Sequence, residues 1–410
     1  RIVDNQFRKL VDQKANYLVG QPFVIRSDDQ AFVDALRPYL LTKKFARLIK
    51  AVTRDALCCG IGWLFPYYDE NGALAFRRLR PYEVIPLWAD EEHTRLDAAI
   101  RVYDMTEYVG LTEKIVHRVE VYDDTGIHYF TLSGGSLTPV EPFSAPYIMA
   151  GEQPYNWERI PLIAFKYNAD ETPLLTRCRS MQDGLNAIES QWQDQMQEDP
   201  RNTNMVLVNY AGENLGEFRR NLATYGAGKV RSDSSGGGDV RTLQIEVNAE
   251  NYQTLVAQFK KAIIENCMGY DAKDDRLGGN ANEMNIKSMY SDIELDANGM
   301  ETEYQAAFEE LIWFITCHIS NTGGGDFENE PYELIFNRDI LISESSAIAD
   351  CRNSMGVISN ETIVANHPWV DDVQGELDRL AAEKEANLDL YGGFGQNVPP
   401  DDEPPDDKNE

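Results

Sequence analysis

The segment Tyr225-Gly226-Ala227-Gly228-Lys229-Val230 has the glycine and lysine spacing found at the end of a phosphate-cradling loop. That chemistry needs a glycine at position 223 and a hydroxyl after the lysine to reach Mg²⁺. Ala223 and Val230 stand there instead, so the segment reads as a tight turn. The histidines His93, His117, His128, His318 and His367 share no metal-ligand spacing. His117 and His128 fall on neighbouring predicted strands, where they form either a cross-strand pair or, more commonly, half-buried polar groups. The acid pairs Asp274-Asp275 and Asp371-Asp372 are of the kind chance supplies among 68 acids, and neither has a nucleophile or base beside it. Asn360-Glu361-Thr362 fits a glycosylation acceptor, but no secretory signal accompanies it. The expectation is no catalytic residue, no metal and no cofactor.

The elements around these residues begin with a mixed α/β stretch, residues 1–171. Gln6 to Leu18 is amphipathic and closed by Gly20-Gln21-Pro22, and Phe32 to Leu64 reads as helical for most of its length. Strand-like runs follow at Ala73–Leu79, Ala98–Tyr103, Ile115–Tyr122, Ile127–Leu132 and Ile160–Phe165, rich in β-branched and aromatic residues. Thr172-Pro173 suggests a helix start, with Thr as cap and Pro at the first position, running to about Glu198 before Asp199-Pro200. A compact insertion, 199–247, contains the glycine-rich loop Ser232–Gly238. Asn248 then caps a second helix that ends at Gly269. After the charged loop 270–283, apolar residues recur at steps of 1, 3 or 4 from Ile286 to Ile319. They predict a helix of about 55 Å with Gly299 as a candidate kink. Tyr332–Ile342 alternates like a strand. Helices are expected at Glu344–Met355, at Asn360–Asn366 capped by Ser359, and at Val373–Tyr391 capped by Asp371. The tail, 394–410, is acidic and proline-bearing and is expected to be disordered.

Composition narrows the function. The chain has 410 residues, 42% of them hydrophobic, enough for two or three domains. Its net charge of −30 argues against a static nucleic-acid clamp, since affinity for duplex DNA rests on Lys and Arg. A conduit that must not grip its cargo remains compatible. The cysteines Cys58, Cys59, Cys178, Cys267, Cys317 and Cys351 form no CxxC pair and read as buried free thiols in a reducing compartment. No run of about 18 apolar residues suggests a membrane span. The chain starts at Arg1, so a preceding segment is expected to be missing.

The order of parts is a helix, a compact insertion, a second helix, a charged glycine loop, a very long helix, a strand and a helical end. It resembles portal proteins of tailed bacteriophages, the type found in siphoviruses of Gram-positive hosts. Residue stretches carry the resemblance along nearly the whole chain: Asn5–Lys14 with Tyr17–Pro22, Tyr210–Asn214 with Glu217-Phe218 and Asn221-Leu222, Leu277–Ala281, Asp296–Glu301, Asn321–Gly323, Gly325–Phe327 and Ser359–Thr362. Residues 172–198 carry little of it.

The resemblance implies an α+β portal fold assembled as a closed ring, usually a dodecamer. By position, 1–171 and the returning strand 331–342 would be the wing. Residues 172–198 and 248–269 would be the stem helices, 199–247 the clip and 270–283 the tunnel loop. The long kinked helix would be 284–321 and the crown 344–393. The implied function is passage of double-stranded DNA during packaging and ejection at one capsid vertex of the virion, after assembly in the host cytoplasm. The implied partners are a terminase ATPase, head-completion and tail adaptor proteins, scaffold and major capsid protein, with no membrane. In the loop, Asp271, Lys273, Asp274, Asp275, Arg276, Gly278 and Gly279 are the expected DNA-facing residues. Glu189, Asp194 and Glu198 are candidates for the stem lumen, and Glu213, Glu217, Arg219 and Arg220 for partner contacts on the clip. Two rival readings are an acidic adaptor or scaffold that binds basic partners, and a hydrolase with a scattered active site.

Overall fold

The computed structural model describes residues 1–197, 204–208, 249–271, 283–338, 344–365, 367–370 and 373–392, with short pieces at 214, 216–218, 220, 224, 232–233, 236–237 and 239–243. Two compact units result: Arg1–Asp275 with Ser288–Asp339, and Arg276–Lys287 with Ile340–Glu410. Helix and sheet are mixed, as the sequence implies.

The first unit opens with α1 (Gln6–Val19), β1 (Val24–Arg26), α2 (Gln30–Leu40) and α3 (Lys43–Cys59). The single helix expected over Phe32 to Leu64 is therefore two helices and a strand. Asp29 accepts a hydrogen bond from the Ala31 amide at 2.8 Å to start α2, and Thr42 accepts one from Phe45 at 3.2 Å to start α3. Gly60, at φ +91°, ends α3. A Cβ there would lie 1.9 Å from the Glu171 carbonyl oxygen, so the turn requires glycine. The aromatic run that follows is β2 (Ile61–Tyr68), buried at its first six positions.

β2 pairs with β3 (Leu74–Leu79) and with β11 (Ile163–Lys166), both antiparallel. A second sheet has the order β4-β5-β6-β7-β8: Val84–Trp88, Leu96–Val109, Thr112–Asp123, Gly126–Ser133 and Ser136–Ala145. The hairpin β9 (Ile148–Ala150) and β10 (Gln153–Tyr155) stands beside it in sequence. In the β6–β7 register His117 lies opposite Leu132 and His128 opposite Val121, so the two histidines are not a cross-strand pair. Each instead meets a carboxylate, Asp104 at 2.5 Å and Asp123 at 3.0 Å respectively.

The helix expected from Thr172 starts later. Both the Thr172 amide and hydroxyl bond to Asn168, which removes them from a capping role. A 3₁₀ turn over Leu174–Arg177 precedes α4 (Arg179–Gln197). In the insertion, β12 (Asn204–Val208) pairs with β15 (Asp239–Leu243). The expected loop Ser232–Gly238 contains two two-residue strands, β13 (Ser232–Asp233) and β14 (Gly236–Gly237). α5 (Ala249–Asn266) and α6 (Glu283–Asn321) follow, and α6 runs helical through Gly299. β16 (Glu333–Ile335) is shorter than the expected Tyr332–Ile342, of which 339–342 lie outside the described residues, and it pairs antiparallel with β1.

The core joins these pieces through aromatic rings: Phe23, Phe45, Phe308 and Phe336 meet at 5.1–6.2 Å, and Phe165 meets Tyr304 at 5.2 Å. All six cysteines are free. Cys178, Cys267 and Cys351 are buried as expected, whereas Cys58 and Cys59, the last two residues of α3, are exposed.

The second unit holds α7 (Glu344–Asn353), α8 (Asn360–Ala365) and α9 (Val373–Gly392). Ser359 caps α8, accepting a bond from the Thr362 amide at 3.3 Å. Asn248, Asp371 and 394–410 lie outside the described residues.

Candidate functional site at the base of two paired helices

α4 and α5 run antiparallel. Trp192 stacks on Tyr252 at 5.9 Å, Gly184 faces the Phe259 ring, and the Asn266 amide lies 3.2 Å from the Met181 sulfur. A Cβ at Gly184 would meet that ring at 3.3 Å, so the small residue sets how closely the helices approach. At the base, Leu185, Ile263, Ile264, Cys178 and Cys267 are buried. The hydrogen bond with Cys178, together with burial, pushes the Cys267 thiol up and keeps it protonated.

The first residues of the chain lie along α4 in the opposite direction. Ile2 N–H donates to Ser190 Oγ at 2.9 Å, Asp4 N–H to Asn186 Oδ1 at 2.8 Å and Phe7 N–H to Gln182 Oε1 at 3.0 Å. Buried Asn186 and Gln182 thus satisfy the Asp4 amide and one of the first amides of α1, which would otherwise be unpaired donors. Lys260 on α5 reaches Asp4 at 2.8 Å and Glu189 on α4 at 3.3 Å, tying three segments with one ammonium. This pairing holds the Asp4 carboxyl below its usual range despite the opposing effect of burial.

Asp296 on α6 organises the base. It takes a 2.7 Å ion pair from Lys14, a 2.9 Å pair from Arg177 and a 3.0 Å hydrogen bond from the Tyr167 hydroxyl. The Lys14 and Asp296 side chains are 3% and 8% exposed, so each depends on the other for compensation. Burial pulls the Lys14 pKa down while Asp296 opposes it. Lys14 Nζ also donates to the Met268 carbonyl at 2.9 Å, where α5 ends. The Gly269 amide returns to Ile264 O at 2.9 Å to close that helix.

One residue on, Tyr270 is held from two sides. Its amide bonds to Gln13 Oε1 at 3.2 Å and its carbonyl accepts from Gln13 Nε2 at 2.9 Å, while its ring stacks on Tyr290 of α6 at 4.5 Å. Burial and the bond with Tyr270 raise the Tyr290 hydroxyl to about 12. Tyr17 donates to Glu294, and Arg338 binds Glu294 at 2.7 Å, Asn298 at 2.5 Å and Glu301. Tyr270, where the charged loop begins in the sequence, is therefore fixed to α1 and α6.

Of the residues expected to face DNA, Asp271 follows this fixed point directly, whereas Lys273, Asp274, Asp275, Arg276, Gly278 and Gly279 lie outside the described residues. Glu189 sits in the α4–α5 seam bound to Lys260, and Asp194 is exposed on α4 in line with Asp183, Ala187 and Gln191. Glu198, Glu213 and Arg219 lie outside the described residues, as does the turn 225–230. Glu217 and Arg220 are exposed. Among the described residues no group of three or more His, Cys, Asp or Glu is placed to hold a metal, and no helix is long and apolar enough to cross a membrane.

Lys14, Gln13, Arg177 and Asp296 were not singled out from sequence for this role. The signal was present: Lys14 interrupts the apolar stripe Leu10, Val11, Leu18, and Asp296 interrupts Ile293, Ala297, Met300. A charged residue in a helix's buried stripe implies a buried partner.

The profile of the family described as "Phage portal protein, SPP1 Gp6-like" matches residues 1–389. The portal protein of Bacillus phage SPP1 is 27% identical over 400 residues, covering 96% of this chain and 78% of that one. The portal protein of Clostridium phage phiCD119 is 26% identical over 397 residues, covering 94% and 84%. Among solved structures, a chain from the virion of a native gene transfer agent particle aligns with a TM-score of 0.45 at 14% identity, over 87% of both chains. A chain from the neck of the empty particle aligns with a TM-score of 0.44 at 14% identity, over 87% of both.

Proposed function

The chain belongs to the SPP1 Gp6-like family of phage portal proteins, a structural and non-enzymatic family of the virion, and from that premise we propose how its parts serve the passage of DNA. Copies form a ring, a dodecamer, at one capsid vertex, through which double-stranded DNA is packaged and later ejected. The observation that carries this reading is the family match across 389 residues, supported by portal relatives that align with nearly the whole chain.

In this reading residues 1–171 with 331–342 are the wing, α4 and α5 the stem, 199–247 the clip and 344–393 the crown. The loop 270–283 reaches the passage. Its origin at Tyr270 is braced by Gln13 and Tyr290, so displacement of the loop by DNA is transmitted to α1 and α6 instead of being lost in a slack connector. Lys273 and Arg276 among Asp271, Asp274 and Asp275 give brief phosphate contacts without a strong hold. Glu189 braces the seam, and Asp194 lies on an exposed row of α4 whose one base, Arg179, is paired with Asp183 at the start of the helix, so that beyond this pair the row would repel phosphates locally over about 8–10 Å. Glu213, Glu217, Arg219 and Arg220 offer contacts to a terminase ATPase during packaging and to head-completion and tail proteins afterwards. Scaffold and major capsid protein meet the outer ring.

Negative-stain microscopy of the purified chain under assembly conditions tests the reading. Rings of about twelve copies with an axial hole are expected, and monomers alone would overturn it.

A further inference from the structure

Five cations on α3 contrast with a chain that carries 68 acids against 38 bases. Lys43, Lys44, Arg47, Lys50 and Arg54 are spaced by 1, 3, 3 and 4 residues. They gather on the side of the helix opposite Phe45, Ile49, Val52 and Ala56, which pack into the core. Arg54 pairs with Asp12 at 2.9 Å. Among the described residues Lys43, Lys44, Arg47 and Lys50 have no ion-pair partner. Asp55 is the one acid on the helix, and Arg78 holds it at 2.6 Å. Four uncompensated cations on one helical face repel one another, so their retention in an acidic chain calls for an external anion.

The same chain presents the opposite surface elsewhere. A cleft of about 1010 Å³ opens between the turn Asp69–Gly72, the β9–β10 hairpin and the last turns of α6. Asp69, Glu70, Glu158, Asp326 and Glu328 line it, and no Lys or Arg does. His318, lowered by burial and bonded to Tyr68 at 2.9 Å, adds no positive charge near neutral pH. Its walls are aromatic, including Trp157, Trp313 and Tyr155. Arg159 already stacks over Trp313 at 4.3 Å, a contact that other cations can imitate. Met149 and Tyr155 at the mouth are 58% and 55% exposed.

We propose that the basic face of α3 in one copy docks on the acidic, aromatic cleft of the next copy. This inference rests on the portal reading, because a closed ring is built from heterologous contacts in which each copy offers two different, complementary surfaces. The stripe and the cleft share no residue, and they are opposite in charge, four unpaired cations on one and five acids on the other. Copies bearing −30 each repel at long range, so their contact needs a local reversal of sign, which these two surfaces supply. Duplex DNA would also accept the stripe. The second copy is favoured because the chain itself carries the aromatic and acidic counterpart.

The test uses two full-length variants. One carries Lys43→Glu, Lys44→Glu, Arg47→Glu and Lys50→Glu; the other carries Asp69→Lys, Glu70→Lys, Asp326→Lys and Glu328→Lys. Circular dichroism establishes that each is folded, and electron microscopy with mass photometry counts rings. Each variant alone is expected to lose about tenfold or more of its rings, since like charges now face each other. An equimolar mixture should recover them, because an alternating ring restores opposite charge at every contact. Rings from either variant alone at the wild-type level, or no recovery from the mixture of folded variants, would overturn the contact. Intact rings with reduced retention of duplex DNA would reassign the stripe to nucleic acid. Absence of rings from the wild-type chain would instead sink the portal reading, and the contact with it.

Discussion

The two ends of the α4–α5 pair are built on different terms. The base is closed by a buried ion pair, a glycine in tight contact, a thiol pair and three helix-to-loop hydrogen bonds. Towards the far end Trp192 stacks on Tyr252, and the described residues around them are mostly exposed, on a surface of Gln and Asp. A helix pair fixed at one end and lightly joined at the other can pivot as a unit while its attachment keeps its geometry. The burial asymmetry thus separates the region that sets position from the region that can yield.

If that contrast is real, breaking the base must cost far more than breaking the far end. Asp296→Ala leaves Lys14 buried and unpaired, and should lower stability by about 3–5 kcal/mol, read as a large drop in thermal midpoint. Glu310 in mid-α6 tests the body's tolerance of buried charge. Burial raises its carboxyl to about 7, against the pull of Arg159. A folded-state pKa above the unfolded value means that stability is fully present below about 4.5 and declines as pH rises towards 7. Glu310→Gln should therefore gain roughly 1–3 kcal/mol over wild type at pH 8 and little at pH 4.5, measured by denaturant unfolding at both. Gly269→Ala places a Cβ 2.3 Å from Leu10 Cδ2 and should cost about 1–3 kcal/mol, with faster hydrogen exchange at Tyr270. Trp192→Ala at the far end should cost only about 1 kcal/mol or less and leave exchange at the base unchanged. A Trp192 effect as large as that of Asp296 would erase the distinction.

Much of the helical layout was legible because periodicity over long stretches is hard to imitate. The long helix expected over 284–321 differs from the observed α6, Glu283–Asn321, by one residue. Strands β4 and β8 were missed, and the reason is visible in their sequences: Pro86 in one, Pro139 and Pro142 in the other. Both are edge strands of the five-stranded sheet, where a residue without an N–H can face outward at no loss to the ladder. β2 was absorbed into a helix because a continuous apolar run has no period of its own. The Asp296 hub was legible only in part, since a charge in a buried stripe implies a buried partner without saying which one. Lys14, Tyr167, Arg177 and Asp296 are up to 282 residues apart, and nothing local in any of them announces the other three.

The antiparallel pairing of β1 with β16 has a temporal consequence. Val24 waits for Ile335, and Phe23 for Phe336, so the first unit stays open until more than three-quarters of the chain has left the ribosome. During that interval the emerging polypeptide exposes an unpaired strand edge and a row of phenyl rings. Synthesis is therefore the stage at which this molecule most needs protection from wrong partners.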